Sequence, residues 1–116
     1  MLDLSIIILN YRTKNLVKEC VKSIRRAALQ LSYEIIVVVN ASGDGAGEMM
    51  REEFPDIRFL DSPENIGFAG GNNIGLREAI GRYRMVLNPD IVVLPGAVEK
   101  MVAAMDAHPD IGLLGP

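Results

Sequence analysis

Apolar residues gather in four short runs, separated by amphipathic or polar stretches. Leu4–Leu9 is almost wholly Leu and Ile, the mark of a strand covered on both faces. Tyr33–Val39 repeats the pattern, and Ile57–Leu60 and Tyr83–Leu87 are shorter versions of it. Between the first two runs, Val17, Val21, Ile24, Ala28 and Leu31 step by three or four. That spacing predicts a helix from about Lys14 to Leu31, with Lys14, Lys18, Lys22, Arg25 and Arg26 on its outer faces. A short helix is expected over Ala46–Phe54, ended by Pro55-Asp56, and another over Gly70–Ile80 with Gly81 as C-cap. Pro95 suits the first turn of a last helix ending near His108. Ile91–Leu94 reads as a short extended piece, and Ile111–Leu114 as the start of a fifth strand.

Strands that alternate with helices imply an α/β fold: a Rossmann-like, mostly parallel sheet with right-handed crossovers and helices on both faces. In such a sheet every strand's C-terminal end lies on one edge. That edge would carry Asn10, Tyr11, Asn40, the loop from Asp61 to Asn65, Asn88 and Asp90. With the strand order 3-2-1-4, the first and fourth strands flank the switch point, and a crevice opens between Tyr11 and Asp90. The 116 residues suit one domain. A further element is expected after Gly115-Pro116, which makes this the first half of a larger domain.

Composition narrows the classes of function. Hydrophobic residues form 49% of the chain, enough for a packed core. The net charge of −3 argues against a nucleic-acid surface, which carries a basic stripe. No apolar run approaches a membrane span, and no basic segment precedes the first apolar stretch as in a signal peptide. A cytoplasmic chain is expected, with room for peripheral attachment to the inner face of the membrane. Cys20 is the one cysteine, so no internal disulfide can form, and an inert, half-buried thiol is expected. One histidine, His108, leaves nothing for a Ser/His/Asp or Cys/His triad, and Cys/His metal sites fall by count.

Two stretches can carry chemistry. Asn88-Pro89-Asp90 ends the fourth run with one carboxylate, suited to a hard cation that takes oxygen ligands and substrate phosphates. The same triplet is also ordinary turn chemistry. Gly67, Gly70 and Gly71 enter a helix, where free backbone N–H groups favour anions. They serve equally for a tight turn and close packing. Asn72 and Asn73 can contact a ligand or cap the helix. Arg77 and Arg84 suit phosphate or a solvated face. Gly43-Asp44-Gly45-Ala46-Gly47 has the wrong spacing and place for a dinucleotide fingerprint, and no P-loop is present; Asp44 reads as an N-cap.

Four segments in order resemble family 2 glycosyltransferases with a GT-A fold, in the rhamnosyltransferase-like branch. They are Ser5–Tyr11, Glu34–Ser42, Glu64–Asn73 and Leu87–Asp90 with Pro95-Gly96; the tail His108–Pro116 fits as well. The resemblance covers essentially the whole chain. It implies the donor half of an inverting enzyme, one that moves a sugar from a nucleoside-diphosphate sugar to a saccharide or lipid-linked acceptor in cell-wall polysaccharide synthesis. Asn10, Tyr11, Asn40, Asn65, Gly67, Gly71, Asn72 and Asn88 would hold the nucleotide sugar. Asp90, where the family has its D-x-D motif, would hold Mg²⁺ or Mn²⁺ with the diphosphate. The family's catalytic base is expected beyond Pro116. Val39 departs from the pattern, standing where the family has an Asp before the Asn that ends the second strand. The alternative is a non-catalytic relative that binds nucleotide or pairs with itself through exposed apolar surface.

Overall fold

The computed structural model describes residues 2–40, 43–62 and 66–112. Its elements run β1 (Leu4–Asn10), α1 (Lys14–Arg26), β2 (Tyr33–Asn40), α2 (Ala46–Glu53), β3 (Arg58–Ser62), α3 (Gly67–Glu78), β4 (Tyr83–Leu87) and α4 (Ala97–Ala107). One sheet holds all four strands in the order β3-β2-β1-β4, and every pairing is parallel. The expected α/β class is therefore that of the protein, and the order is the common one on which the crevice is placed.

Alternation along the strands splits the core in two. Leu4, Ile6 and Ile8 of β1 face α1, α2 and the start of α4, and pack with Val17, Val21, Ile24, Met50 and Val98. Ile7 and Leu9 face the other way, with Ile36, Val38, Leu60 and the apolar side of α3. β1 is buried at every position because it lies between two strands and under helices on both faces. Leu29 and Leu31 close the core at the bottom of the sheet.

The α3 face is built on close approach. A Cβ at Gly71 would stand 2.5 Å from Leu9 Cδ1, and one at Gly75 2.6 Å from Ile7 Cγ2. Only glycine lets the helix lie this near β1. At the bottom edge, the N–H groups of Gly81 and Ile80 donate to Ser5 Oγ (2.8 Å) and Glu34 Oε2 (2.9 Å), which fixes the α3–β4 turn.

Several boundaries differ from the sequence reading. α1 stops at Arg26, and Ala28 turns the chain with φ +50°. Ala28 is exposed, while Ala27 and Leu29 are buried in its place. α3 begins at Gly67 and ends at Glu78, so its C-cap is Ala79 and not Gly81. α4 begins after Gly96, which takes φ +83°, so Pro95 precedes the helix. Residues 91–94 form no strand. Ile111 is not in a strand, and the rest of the expected fifth strand, Leu113 and Leu114, lies outside the described residues.

Candidate functional site

The strand order brings the C-terminal ends of β1, β2 and β4 and the N-terminus of α3 to one edge. In open parallel sheets this edge, at the point where strand order reverses, is where ligands bind. The reversal here lies between β1 and β4.

Asn10 ends β1 and is fully buried. Its Nδ2 lies 3.4 and 3.5 Å from the Asp44 carboxylate oxygens, and its Oδ1 accepts from Thr13 Oγ1 at 3.3 Å. Asp44 in turn accepts the N–H of Lys14 (3.1 Å) and of Ala46 (3.2 Å), the first residues of α1 and α2. One carboxylate thus joins two helix N-termini to the end of β1, where the helix dipoles favour negative charge. Gly45 is the N-cap of α2; Asp44 caps from one position earlier and serves α1 as well. Spacing alone did not reveal that second helix, because Lys14 is far from Asp44 in sequence. Tyr11 follows at the surface, with the Arg12 guanidinium 5.4 Å from its ring centre.

Asn40 ends β2 and is also buried. Its Oδ1 accepts from Ile66 N and its Nδ2 donates to Gly67 O, both at 3.3 Å. Asn40 therefore holds the entry to α3. That entry has no side-chain cap and no acidic residue in its first turn. Gly67 is exposed with φ +81° and open space where a Cβ would be. Gly71 faces the sheet, as its contact with Leu9 shows. Asn72 is buried beside it. Asn65 lies outside the described residues.

Asn88 and Asp90 are exposed in the turn after β4, which Ile91 N closes onto Asn88 O at 3.1 Å. The turn leads to Val93, whose N–H donates to Ser23 Oγ (2.9 Å), while that hydroxyl donates to Cys20 O (2.7 Å). The stretch after β4 is thereby anchored on α1. Burial pushes the Cys20 thiol up to about 11, and the nearby Asp90 carboxylate adds to the push. The thiol is fully buried, more so than the sequence suggested, and its raised pKa makes it a poor nucleophile. No three His, Cys, Asp or Glu side chains form a metal cluster among the described residues.

Arg84 reaches back to Ala79 O (3.3 Å), and His108 sits exposed just past α4. No helix among the described residues is long and apolar enough to cross a membrane.

The family described as Glycosyl transferase family 2 matches residues 5–116. A low-salt glycan biosynthesis hexosyltransferase, Agl10 of Haloferax volcanii, is 35% identical over 95 residues, which cover 78% of this chain and 29% of the relative. An N-acetylglucosaminyl-diphospho-decaprenol L-rhamnosyltransferase of Mycobacterium tuberculosis is 25% identical over 78% of the chain and 34% of its own. Among solved structures, a mannosyltransferase from Pyrobaculum calidifontis in complex with GDP-Man and Mn²⁺ superposes with TM-score 0.76 at 26% identity. It is covered over 34% of its length, and this chain over 96%. Staphylococcus aureus TarS 1–349 superposes with TM-score 0.78 over 98% of this chain and 38% of its own; at 18% identity this speaks for the fold alone. The chain thus spans about a third or less of the first curated relatives it matches.

Proposed function

The chain belongs to glycosyl transferase family 2, and from that premise we propose that it binds a nucleoside-diphosphate sugar at the C-terminal edge of its sheet. The sugar is transferred, with inversion, to an acceptor hydroxyl of a saccharide or lipid-linked saccharide. The observation that carries the reading is the β3-β2-β1-β4 order. It sets the α3 N-terminus and the Asp90 turn on the same edge, near the β1 end.

In this reading the N-terminal end of α3 faces the diphosphate, as helix N-termini do for anions. Tyr11 and Asn88 line the nucleoside from β1 and β4. Asn10, Asn40 and Gly71 act from behind: the two amides hold the loops, and Gly71 sets how near α3 comes to β1. Asp90 offers one exposed carboxylate with Asn88 two residues away, and no acidic cluster accompanies it among the described residues. That donor set suits Mg²⁺ or Mn²⁺, which take one or two carboxylates and complete their shell with water and substrate phosphates. Bound there, the ion would neutralise charge on the departing diphosphate. No described residue is assigned as the base for the acceptor hydroxyl, so this reading gives residues 1–116 donor binding without turnover of their own.

Melting the 116-residue chain with UDP or GDP, with and without Mn²⁺, tests this. Ligand at a hundred times its Kd stabilises by about 2.7 kcal/mol, which is several degrees for a chain of this size. Asp90→Ala should abolish the Mn²⁺-dependent part. No shift with any nucleoside diphosphate would sink the proposal.

One observation favours a second, non-catalytic reading. Among the described residues β4 pairs only with β1, and beside it runs an apolar groove of about 750 Å³ between β4 and α4. Such a face suits pairing with a second copy. Sugar transfer by the 116-residue chain alone would refute it.

A further inference from the structure

Ser23 interrupts the buried apolar stripe of α1, between Val21 and Ile24, and is fully buried itself. A helical serine commonly returns its hydroxyl to a carbonyl of the preceding turn. Ser23 does so, donating to Cys20 O at 2.7 Å. What sets it apart is a second bond. Its Oγ also accepts the N–H of Val93, at 2.9 Å, from 70 residues along the chain. Val93 stands three residues after Asp90.

The Asp90 turn is thus held at both ends. Upstream, β4 pairs with β1 as far as Leu87, opposite Ile8. Downstream, residues 91–94 form neither helix nor strand; Ile91, Val92 and Leu94 are exposed, and Val93 is buried. The Val93 side chain packs in the same core as Val17, Val21 and Ile24, and its N–H ends on Ser23. The path between the two ends lies over α1. Asp90 is near enough to Cys20, one turn before Ser23, for its charge to oppose ionisation of that thiol. A buried N–H left without an acceptor costs free energy. Without the Ser23 hydroxyl the segment gains by leaving α1 for water, and Asp90 shifts with it.

We infer that Ser23 is a positioning residue for the metal site: it fixes the Asp90 turn on α1 and so sets how strongly a divalent cation strengthens diphosphate binding. The inference rests on the donor-binding reading above and adds a residue, outside the ligand edge, that tunes it. The dependence is steep because one carboxylate carries the site and Mg²⁺ tolerates little departure from octahedral geometry.

Calorimetric titration of the 116-residue chain with UDP and with GDP, each in Mn²⁺ and in EDTA, gives the factor by which the cation strengthens binding. Ser23→Ala should lose most of that factor, as Asp90→Ala does, and keep the affinity measured in EDTA. Alanine is the better helix former, which offsets part of the lost bond and keeps the variant folded. Ile24→Val, beside Ser23 on the same stripe, should lower the melting temperature and retain the full factor, which separates lost stability from lost position. Amide exchange needs no variant: in the parent, the Val93 N–H should exchange far more slowly than that of exposed Val92. The inference falls, while donor binding stands, on any of four results. These are a factor unchanged in Ser23→Ala, an equal loss of affinity in EDTA, a factor lost in Ile24→Val as well, or a Val93 amide that exchanges as fast as Val92. If the factor survives Asp90→Ala, the metal assignment fails and this inference with it. If no nucleoside diphosphate binds the parent chain, the donor reading itself fails and takes both.

Discussion

Gly75 and Gly47 are both helical glycines, yet they meet different surroundings. A Cβ at Gly75 would lie 2.6 Å from Ile7 Cγ2 and 3.2 Å from Val38 Cγ2. Ile7 is fully buried and stiff at χ1, so it has nowhere to go. Forcing a methyl in costs about 1–3 kcal/mol, against up to about 1 kcal/mol returned by alanine's helix propensity. Gly75→Ala should therefore lower the melting temperature by several degrees. At Gly47 the nearest atoms are Arg51 Nη1 and Phe59 Cε2, at 3.8 and 3.9 Å, so Gly47→Ala should raise it. Thermal unfolding followed by circular dichroism reads both, and equal effects would refute the packing argument. The sequence left two uses open for the glycine run, ligand approach and packing, because glycine composition looks the same for both. The structure assigns packing to Gly71 and leaves Gly67 facing open space.

At the scale of elements, α1 ends where no glycine marks the end. Ala28 takes φ +50°, a left-handed conformation that costs an L-residue roughly 1–2 kcal/mol and glycine little. Ala28 is exposed, so removing its methyl sacrifices no core packing. Ala28→Gly should stabilise the chain by about 0.5–1 kcal/mol after the extra freedom of glycine in the unfolded chain is subtracted. A rise of a few degrees in the unfolding midpoint checks it, and a fall would show the turn is not strained. This residue also explains why α1 looked longer in sequence. Its apolar spacing continues through Leu31, and the stop is written in backbone conformation rather than in a glycine or proline. α3 misled in the other direction: Gly67 is a poor helix former with φ +81°, so the helix seemed to start later, at Gly70. Packing on Leu9 and Ile7 overrides that propensity. The strands were legible because burial on both faces demands unbroken apolar runs, as in Ile35–Val39. The parallel sheet, and with it the shared edge of Asn10, Asn40 and Asp90, followed from the alternation of elements, while the 3-2-1-4 order is the common one for such sheets. The grip of Asp44 on α1 did not follow, since it depends on a contact between distant segments.

At the scale of the whole molecule, the two edges of the sheet are unlike. β3 carries Arg58 and Asp61, charges that discourage pairing with another chain, whereas β4, of the same length, carries Arg84 alone. Among the described residues no strand pairs with the outer edge of β4, and beside it lies the apolar groove, where Val92 is 61% and Leu94 64% exposed. Two copies can bring β4 to β4 about a two-fold axis through Met85. Antiparallel pairing in that register sets Tyr83 against Leu87 and Arg84 against Val86, so no like charges oppose. The groove beside each β4 would then be partly covered by the other copy. The 116-residue chain should sediment as a concentration-dependent dimer. Val92→Glu, at a site too exposed to disturb the monomer core, should weaken the dimer by about tenfold or more, the equivalent of roughly 1.4 kcal/mol. The variant's melting curve at low concentration should match the parent's. A chain that remains monomeric at high micromolar concentration, or a dimer indifferent to Val92→Glu, would exclude this edge as the pairing surface. Nucleotide binding supplies the link between scales: the donor edge lies at the C-terminal end of β4, and the paired edge runs along its side. Donor affinity should therefore be the same in monomer and dimer, and a titration repeated with Val92→Glu would show it.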